Sequence, residues 1–218
     1  MKRKSKKRPQ SWTGKVRSIE VGERLRVVPY WERSFAADDR INLVIDPGPA
    51  FGAGDHPSTI MALELLEFAM AALAKQVDGP TVLDVGTGAG VLAIAARLLG
   101  AGTIVGFDTD AAAVYTARRN FRLNHMACNE TRGCAHLFVG GTEAMAGAFD
   151  VVLANLAAPT LIKLSSDLCR SVGRYLILSG IGEAMGRAVL QTYVRQGIEL
   201  IRSTEREEWN AGLWMRPG

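Results

Sequence analysis

Hydrophobic and polar residues alternate along this chain in two registers, short apolar runs and longer stretches with near-helical spacing. Near the start, Leu25-Arg26-Val27-Val28-Pro29 alternates weakly and predicts a short strand stopped by its proline. Ile41 to Ile45 predicts another, ended by the turn signal Asp46-Pro47-Gly48. After a glycine-containing loop, Phe51 to Pro57, the positions Met61, Leu63, Leu65, Leu66, Phe68, Met70 and Leu73 predict a helix from Ser58, broken at Asp78-Gly79-Pro80. From there strand and helix alternate regularly. Strands are expected at Thr81–Val85, Thr103–Phe107, His136–Val139, Phe149–Ala154 and Tyr175–Leu178. Helices are expected at Val91–Leu99, closed by Gly100, at Ala111–Asn124 with Asp110 as N-cap, at about Pro159–Cys169 and at Glu183–Arg195. Two strands, about Glu199–Ser203 and Glu208–Met215, close the chain. Runs such as Val151-Val152-Leu153-Ala154 are apolar on both sides and suit strands covered on both faces. The pattern predicts an open, doubly wound α/β fold with a mostly parallel, seven-stranded sheet of Rossmann-like type.

Composition narrows the class. A chain of 218 residues implies one main domain with a modest extension, and 48% hydrophobic with 22% charged residues excludes wholesale disorder. No uninterrupted apolar stretch reaches the roughly 18–20 residues that span a bilayer, and no apolar region follows the N-terminal charges as in a secretory signal. Cys128, Cys134 and Cys169 make neither a disulfide framework nor a zinc-like pair, so a reducing, cytoplasmic setting without membrane or metal is the expectation. The net charge of +4 conceals an asymmetry, because Lys2, Arg3, Lys4, Lys6, Lys7 and Arg8 crowd the first eight positions. The expected organisation is a basic, disordered tail at 1–10, a short extension or linker with strands at 11–45, and the main domain at 46–218. The tail has two readings, an RNA contact through residues 2–8 or a merely solvated run.

The chemistry concentrates in Val82-Leu83-Asp84-Val85-Gly86-Thr87-Gly88-Ala89-Gly90-Val91-Leu92, where a predicted strand runs through glycines into a helix. Glycines there let a ligand approach backbone N–H groups that a helix N-terminus presents. Asp108 ends the next strand, 22 residues beyond Gly86, where a carboxylate can accept hydrogen bonds from both hydroxyls of a ribose. The spacing G-x-G-x-G differs from the dinucleotide fingerprint G-x-G-x-x-G, and position 91 is Val91 rather than glycine. Asp84 would repel a pyrophosphate but suits an ammonium group. A ligand with a ribose, a carboxylate and an ammonium is S-adenosyl-L-methionine, and this string with its acidic strand end resembles the first two motifs of class I methyltransferases.

A longer stretch sharpens the resemblance. Asp46-Pro47-Gly48-Pro49-Ala50-Phe51-Gly52-Ala53-Gly54-Asp55-His56-Pro57-Ser58-Thr59 is similar to the segment before the cofactor domain in PrmA-type methyltransferases, which trimethylate ribosomal protein eleven of the large subunit. Phe149 to Leu156 resembles the family's fourth-strand motif, Leu178-Ser179-Gly180-Ile181 its fifth-strand end, and Glu208-Trp209 its last strand. Ala53 and Ser58 stand where the family pattern has threonines. Residues 1–45 precede Asp46, where the family carries an N-terminal substrate-recognition domain and linker; a linker and a strand are expected there instead.

The resemblance implies a set of roles. Phe51, His56, Thr59, Asp84, Gly86, Gly88, Gly90, Asp108, Thr142 and Asn155 would bind the cofactor, Thr59 near the methionine carboxylate and Thr142 near the adenine. Asn155 and the backbone carbonyl of Leu156 would accept hydrogen bonds from the target nitrogen and are the catalytic candidates. Each has a plainer alternative: Asn155 as a helix cap, His56 as a cap or packing residue, the glycines as a packing turn. The implied activity is S-adenosylmethionine-dependent N-methylation of a lysine or terminal amine on a ribosomal protein. Two alternatives stay open: another acceptor (a different protein, a small amine or RNA), and a non-catalytic cofactor-binding module docked on RNA by its basic run. Oligomeric state is not encoded in these patterns.

Overall fold

The computed structural model describes residues 17–32, 38–46, 54–126, 128, 135–145 and 147–217. Among these, two sheets form. The smaller has three strands, β1 (Ile19–Val21), β2 (Leu25–Pro29) and β3 (Ile41–Ile45), with β1 antiparallel and β3 parallel to β2. The sequence pattern predicts β2 and β3 with these bounds but not β1, whose three residues are too short a run to carry a period.

The larger sheet holds β4 (Thr81–Val85), β5 (Thr103–Asp108), β6 (Ala135–Val139), β7 (Phe149–Asn155), β8 (Val172–Gly182), β9 (Glu199–Arg206) and β10 (Trp209–Met215). Their order is β6-β5-β4-β7-β8-β10-β9, parallel except that β10 runs against both neighbours. The helices are α1 (Pro57–Leu73), α2 (Val91–Leu98), α3 (Ala111–Leu123), α4 (Ala158–Lys163), α5 (Ser165–Ser171) and α6 (Gly186–Arg195).

Alternation along the central strands explains the layers. Val151 and Leu153 join one apolar cluster with residues of α1, α2 and α3, while Val152 and Ala154 join another with residues of α4, α5 and α6. Successive side chains of a strand point to opposite faces, so a run apolar at every position calls for a cover on each. The doubly wound architecture expected from the sequence is the one observed.

Four expectations shift in detail, one being β9, which runs on to Arg206 rather than ending near Ser203. The helix expected at 159–169 divides at Leu164, just before Ser165-Ser166, residues with weak helix preference. The helix expected from Glu183 opens as a single 3-10 turn, Glu183–Met185, before α6. β8 runs from Val172 to Gly182 rather than from Tyr175 to Leu178, because β7 and β10 pair with it beyond both ends of that run.

The small sheet is no free appendage. Val21, Leu25, Val27, Leu43 and Ile45 are buried in the same cluster as α1, α2 and α3. Burying each such side chain contributes about 1.5–3 kcal/mol, which holds a three-stranded sheet that would be marginal alone.

Candidate active site

The carboxyl ends of β4, β5 and β7 open into one cleft lined by Thr59, Asp84, Gly86, Thr87, Gly88, Asp108, Asn155 and Leu156, with Ala89, Val91 and Leu92 from the glycine turn and α2. Ligands of open α/β sheets sit at such carboxyl ends. The turn after β4 is held by the neighbouring strand: the N–H groups of Gly86 and Thr87 both donate to the Phe107 carbonyl, at 3.0 and 2.9 Å.

Asp84 lies beneath this turn and is buried. Its carboxylate accepts from the Thr87 hydroxyl at 2.7 Å and from the Ala93 N–H in the first turn of α2. Burial pushes the Asp84 carboxyl up to about 6; those two hydrogen bonds pull it down, and the nearby Asp108 charge adds to the rise. Asp108 ends β5, partly exposed. Its Oδ2 accepts from Gly88 N–H and its Oδ1 from Asp110 N–H, both at 3.0 Å. The backbone thus fixes the carboxylate plane, and each oxygen keeps a lone pair for a further donor.

Across the cleft, Asn155 Nδ2 donates to the buried Thr59 hydroxyl at 3.2 Å, and Leu156 N–H donates to the Ser179 carbonyl at 3.1 Å. Ser179, fully buried, reaches back to the Ser58 carbonyl with its hydroxyl at 2.7 Å. The start of α1 and the ends of β7 and β8 are therefore one hydrogen-bonded unit. Gly86 leaves room for Leu156: an added Cβ would stand 2.5 Å from Leu156 Cδ2.

The fold thus brings Thr59, Asp84, Gly86, Gly88, Asp108, Asn155 and Leu156 together at one cleft. Of the other described candidates, Gly90, His56 and Thr142 are not among its lining residues. Gly90 does not line it; with φ +82° it is the N-cap of α2, and an added Cβ would meet Ala117 Cβ of α3 at 3.0 Å, so close helix packing explains this glycine. His56 caps α1, its Nδ1 accepting from Ser58 N–H at 3.2 Å, and its ring meets Trp209 edge-on at 4.8 Å between centroids. Thr142 opens a short 3-10 turn beyond β6 and is not among the lining residues. Phe51 and Cys134 lie outside the described residues, as do residues 1–16 with the basic run. No cluster of described residues has the make-up of a metal site, and no described helix is long and apolar enough to cross a membrane.

Sequence reasoning passed over Thr87, whose signal is a hydroxyl three residues after the strand-end acid Asp84. It also passed over Asn120 of α3, fully buried, which donates to the Ala89 carbonyl at 2.8 Å and accepts from Asp46 N–H at 2.9 Å. Nothing local marks that residue.

A doubly wound sheet with one reversed strand inside its edge, a glycine turn after the first central strand and an acid ending the next define the Rossmann-like class I methyltransferase fold. Within that class the chain belongs to one family, whose description is Ribosomal protein L11 methyltransferase (PrmA) and whose pattern matches residues 5–216. A ribosomal protein L11 methyltransferase of Pelobacter propionicus is 40% identical over 212 residues, covering 94% of this chain and 65% of that protein. One from Geotalea uraniireducens is 37% identical over 208 residues, covering 92% and 64%. The chain therefore spans somewhat less than two thirds of the length of these curated relatives. The crystal structure of a ribosomal protein L11 methylase from Lactobacillus delbrueckii subsp. bulgaricus superimposes with a TM-score of 0.81 at 28% identity, covering 93% of this chain and all of that one.

Proposed function

We propose that this chain is an S-adenosylmethionine-dependent protein methyltransferase that N-methylates a lysine or terminal amine of a ribosomal protein. The observation that carries the reading is a single cleft with Asp108 on one wall and Asn155 with Leu156 on the other. The donor set fits the cofactor: Asp108 offers oriented acceptors to a ribose diol, and Gly86 and Gly88 line the cleft without side chains, beside the N-terminus of α2. When bound, S-adenosylmethionine supplies an electrophilic methyl group on a sulfonium.

The chain's own residues then have limited work to do. Asp108 holds and orients the nucleoside. Asn155 Oδ1 and the Leu156 carbonyl accept from the target nitrogen and align it. A lysine with an ordinary pKa near 10.4 must be neutral to attack, and removal from water favours that form. The names of the L11-methylating relatives support the acceptor class. A second element of the reading is RNA contact through residues 2–8, supported by their six positive charges.

Radiolabelled methyl transfer into ribosomes and whole lysate, with mass mapping of the product, tests the reading. The expected product is a methylated amine on a large-subunit ribosomal protein. Asp108→Ala should weaken S-adenosylmethionine binding at least about ten-fold, as when charged hydrogen bonds are lost. Asn155→Ala should bind the cofactor as the parent does and transfer about two orders of magnitude more slowly. Preferential binding of a nicotinamide dinucleotide, or label in no protein at all, would overturn it.

A further inference from the structure

β8 carries one residue more than β10 along their shared edge. Leu178 faces Gly212 and Ile181 faces Asn210, so Ser179 and Gly180 together stand opposite Ala211. This is a β-bulge, and Gly180 takes the left-handed conformation, φ +79°. On its other side β8 runs parallel to β7, with Ser179 opposite Asn155. A Cβ added to Gly180 would lie 2.6 Å from the Leu156 carbonyl oxygen and 3.0 Å from Asn155 Oδ1. Both contacts are too close for carbon against oxygen, so a side chain there must push the two oxygens away.

Those two oxygens reach that point by separate routes. The Asn155 amide is turned by Thr59, which takes Nδ2 and leaves Oδ1 on the Gly180 side. The Leu156 carbonyl belongs to the peptide following the N–H that Ser179 holds. The bulge therefore does two things. Ser179 fixes the backbone of the β7 end, and Gly180 leaves space for both acceptors to face one donor.

We propose that Gly180 is a positioning residue for the methyl acceptor: its missing side chain lets Asn155 Oδ1 and the Leu156 carbonyl converge on the incoming nitrogen. This rests on the methyltransferase reading above. Gly180 is not among the residues lining the cleft, and its proposed action runs through the two oxygens.

Gly197 provides the control. Its φ of +78° would strain a substituted residue to the same degree, and an added Cβ there meets nothing within 4 Å. The experiment compares parent, G180A, G180N and G197A for S-adenosylmethionine affinity by calorimetry and for kcat and KM of methyl transfer into ribosomes. Asparagine tolerates positive φ better than alanine, so G180N brings the same collision with less strain and stands in should G180A fold poorly. Affinity within about two-fold of the parent is expected for all three, with kcat lower by about two orders of magnitude in G180A and G180N and unchanged in G197A. A folded Gly180 variant turning over like G197A overturns the positioning role while the transferase reading stands. A parent that transfers no methyl group overturns both.

Discussion

Asp84 is the residue whose surroundings make the clearest demand on pH. It is 2% exposed, and burial pushes its carboxyl up to about 6 against an unfolded value of 3.8. An acid with a raised folded pKa holds its proton in the native state where the unfolded chain has released it. Its effect on stability is therefore smallest below pH 4 and grows as a penalty between about pH 4 and 6, reaching about 3 kcal/mol above that window. The expected outcome is that Asp84→Asn melts higher than the parent at pH 7 and that the gap closes by pH 4. The amide still accepts from Thr87, while one oxygen now serves both donors. Melting curves at matched ionic strength check this, and a gap independent of pH would mean that Asp84 is not buried in the ionised form. A ligand ammonium beside Asp84 should lower its pKa and shrink the penalty.

At the scale of elements, α3 ties the small sheet to the glycine turn. Asn124 exchanges hydrogen bonds with Val44 of β3, donating to its carbonyl at 2.7 Å and accepting from its N–H at 2.9 Å. One turn earlier Asn120 bridges Asp46 and Ala89, and Arg119 pairs with the buried Asp46 carboxylate. Asn120→Ala would remove two buried hydrogen bonds, to the Ala89 carbonyl and from the Asp46 N–H, at about 1–2 kcal/mol each. A loss of about 2–4 kcal/mol in urea denaturation is expected, with a smaller loss for the partly exposed Asn124→Ala. A parent-like midpoint for Asn120→Ala would show that the bridge adds nothing. The elements themselves were legible in the sequence where period and punctuation agreed, as in β4, α3 with its Asp110 cap, and β10. β1 and the far half of β8 were not, because partner strands rather than local preference extend them. In the site, Asp108 and the glycines were legible from spacing, whereas Asn120, an ordinary helical asparagine, acquires its role from a chain segment 74 residues away.

For the whole molecule, charge is unevenly placed. Six of the 26 basic side chains fall within residues 2–8, and all 22 acidic ones lie beyond them, so the rest of the chain is mildly acidic. Each phosphate neutralised on single-stranded RNA contributes about −0.7 to the log–log salt dependence, so full engagement gives a slope of about −4. Deleting residues 1–8 should abolish most of that slope on ribosomal RNA and leave S-adenosylmethionine affinity unchanged, since Asp108 and the glycine turn belong to the folded body. Equal slopes for parent and truncated protein in a salt titration would remove the RNA contact.

Local pattern alone was enough to read the alternation of strand and helix, the two-sided burial of the central strands, the glycine turn with its acid partner, and the family resemblance. These properties are carried by period and spacing over a few to some twenty residues. The tertiary structure alone set the His56 ring edge-on against Trp209, 153 residues along the chain. It also decided that Gly90 serves helix packing and that the bulge at Gly180 faces the oxygens of Asn155 and Leu156. Such pairings depend on which distant segments the sheet order brings side by side, and no local pattern in the chain specifies a neighbour that far away.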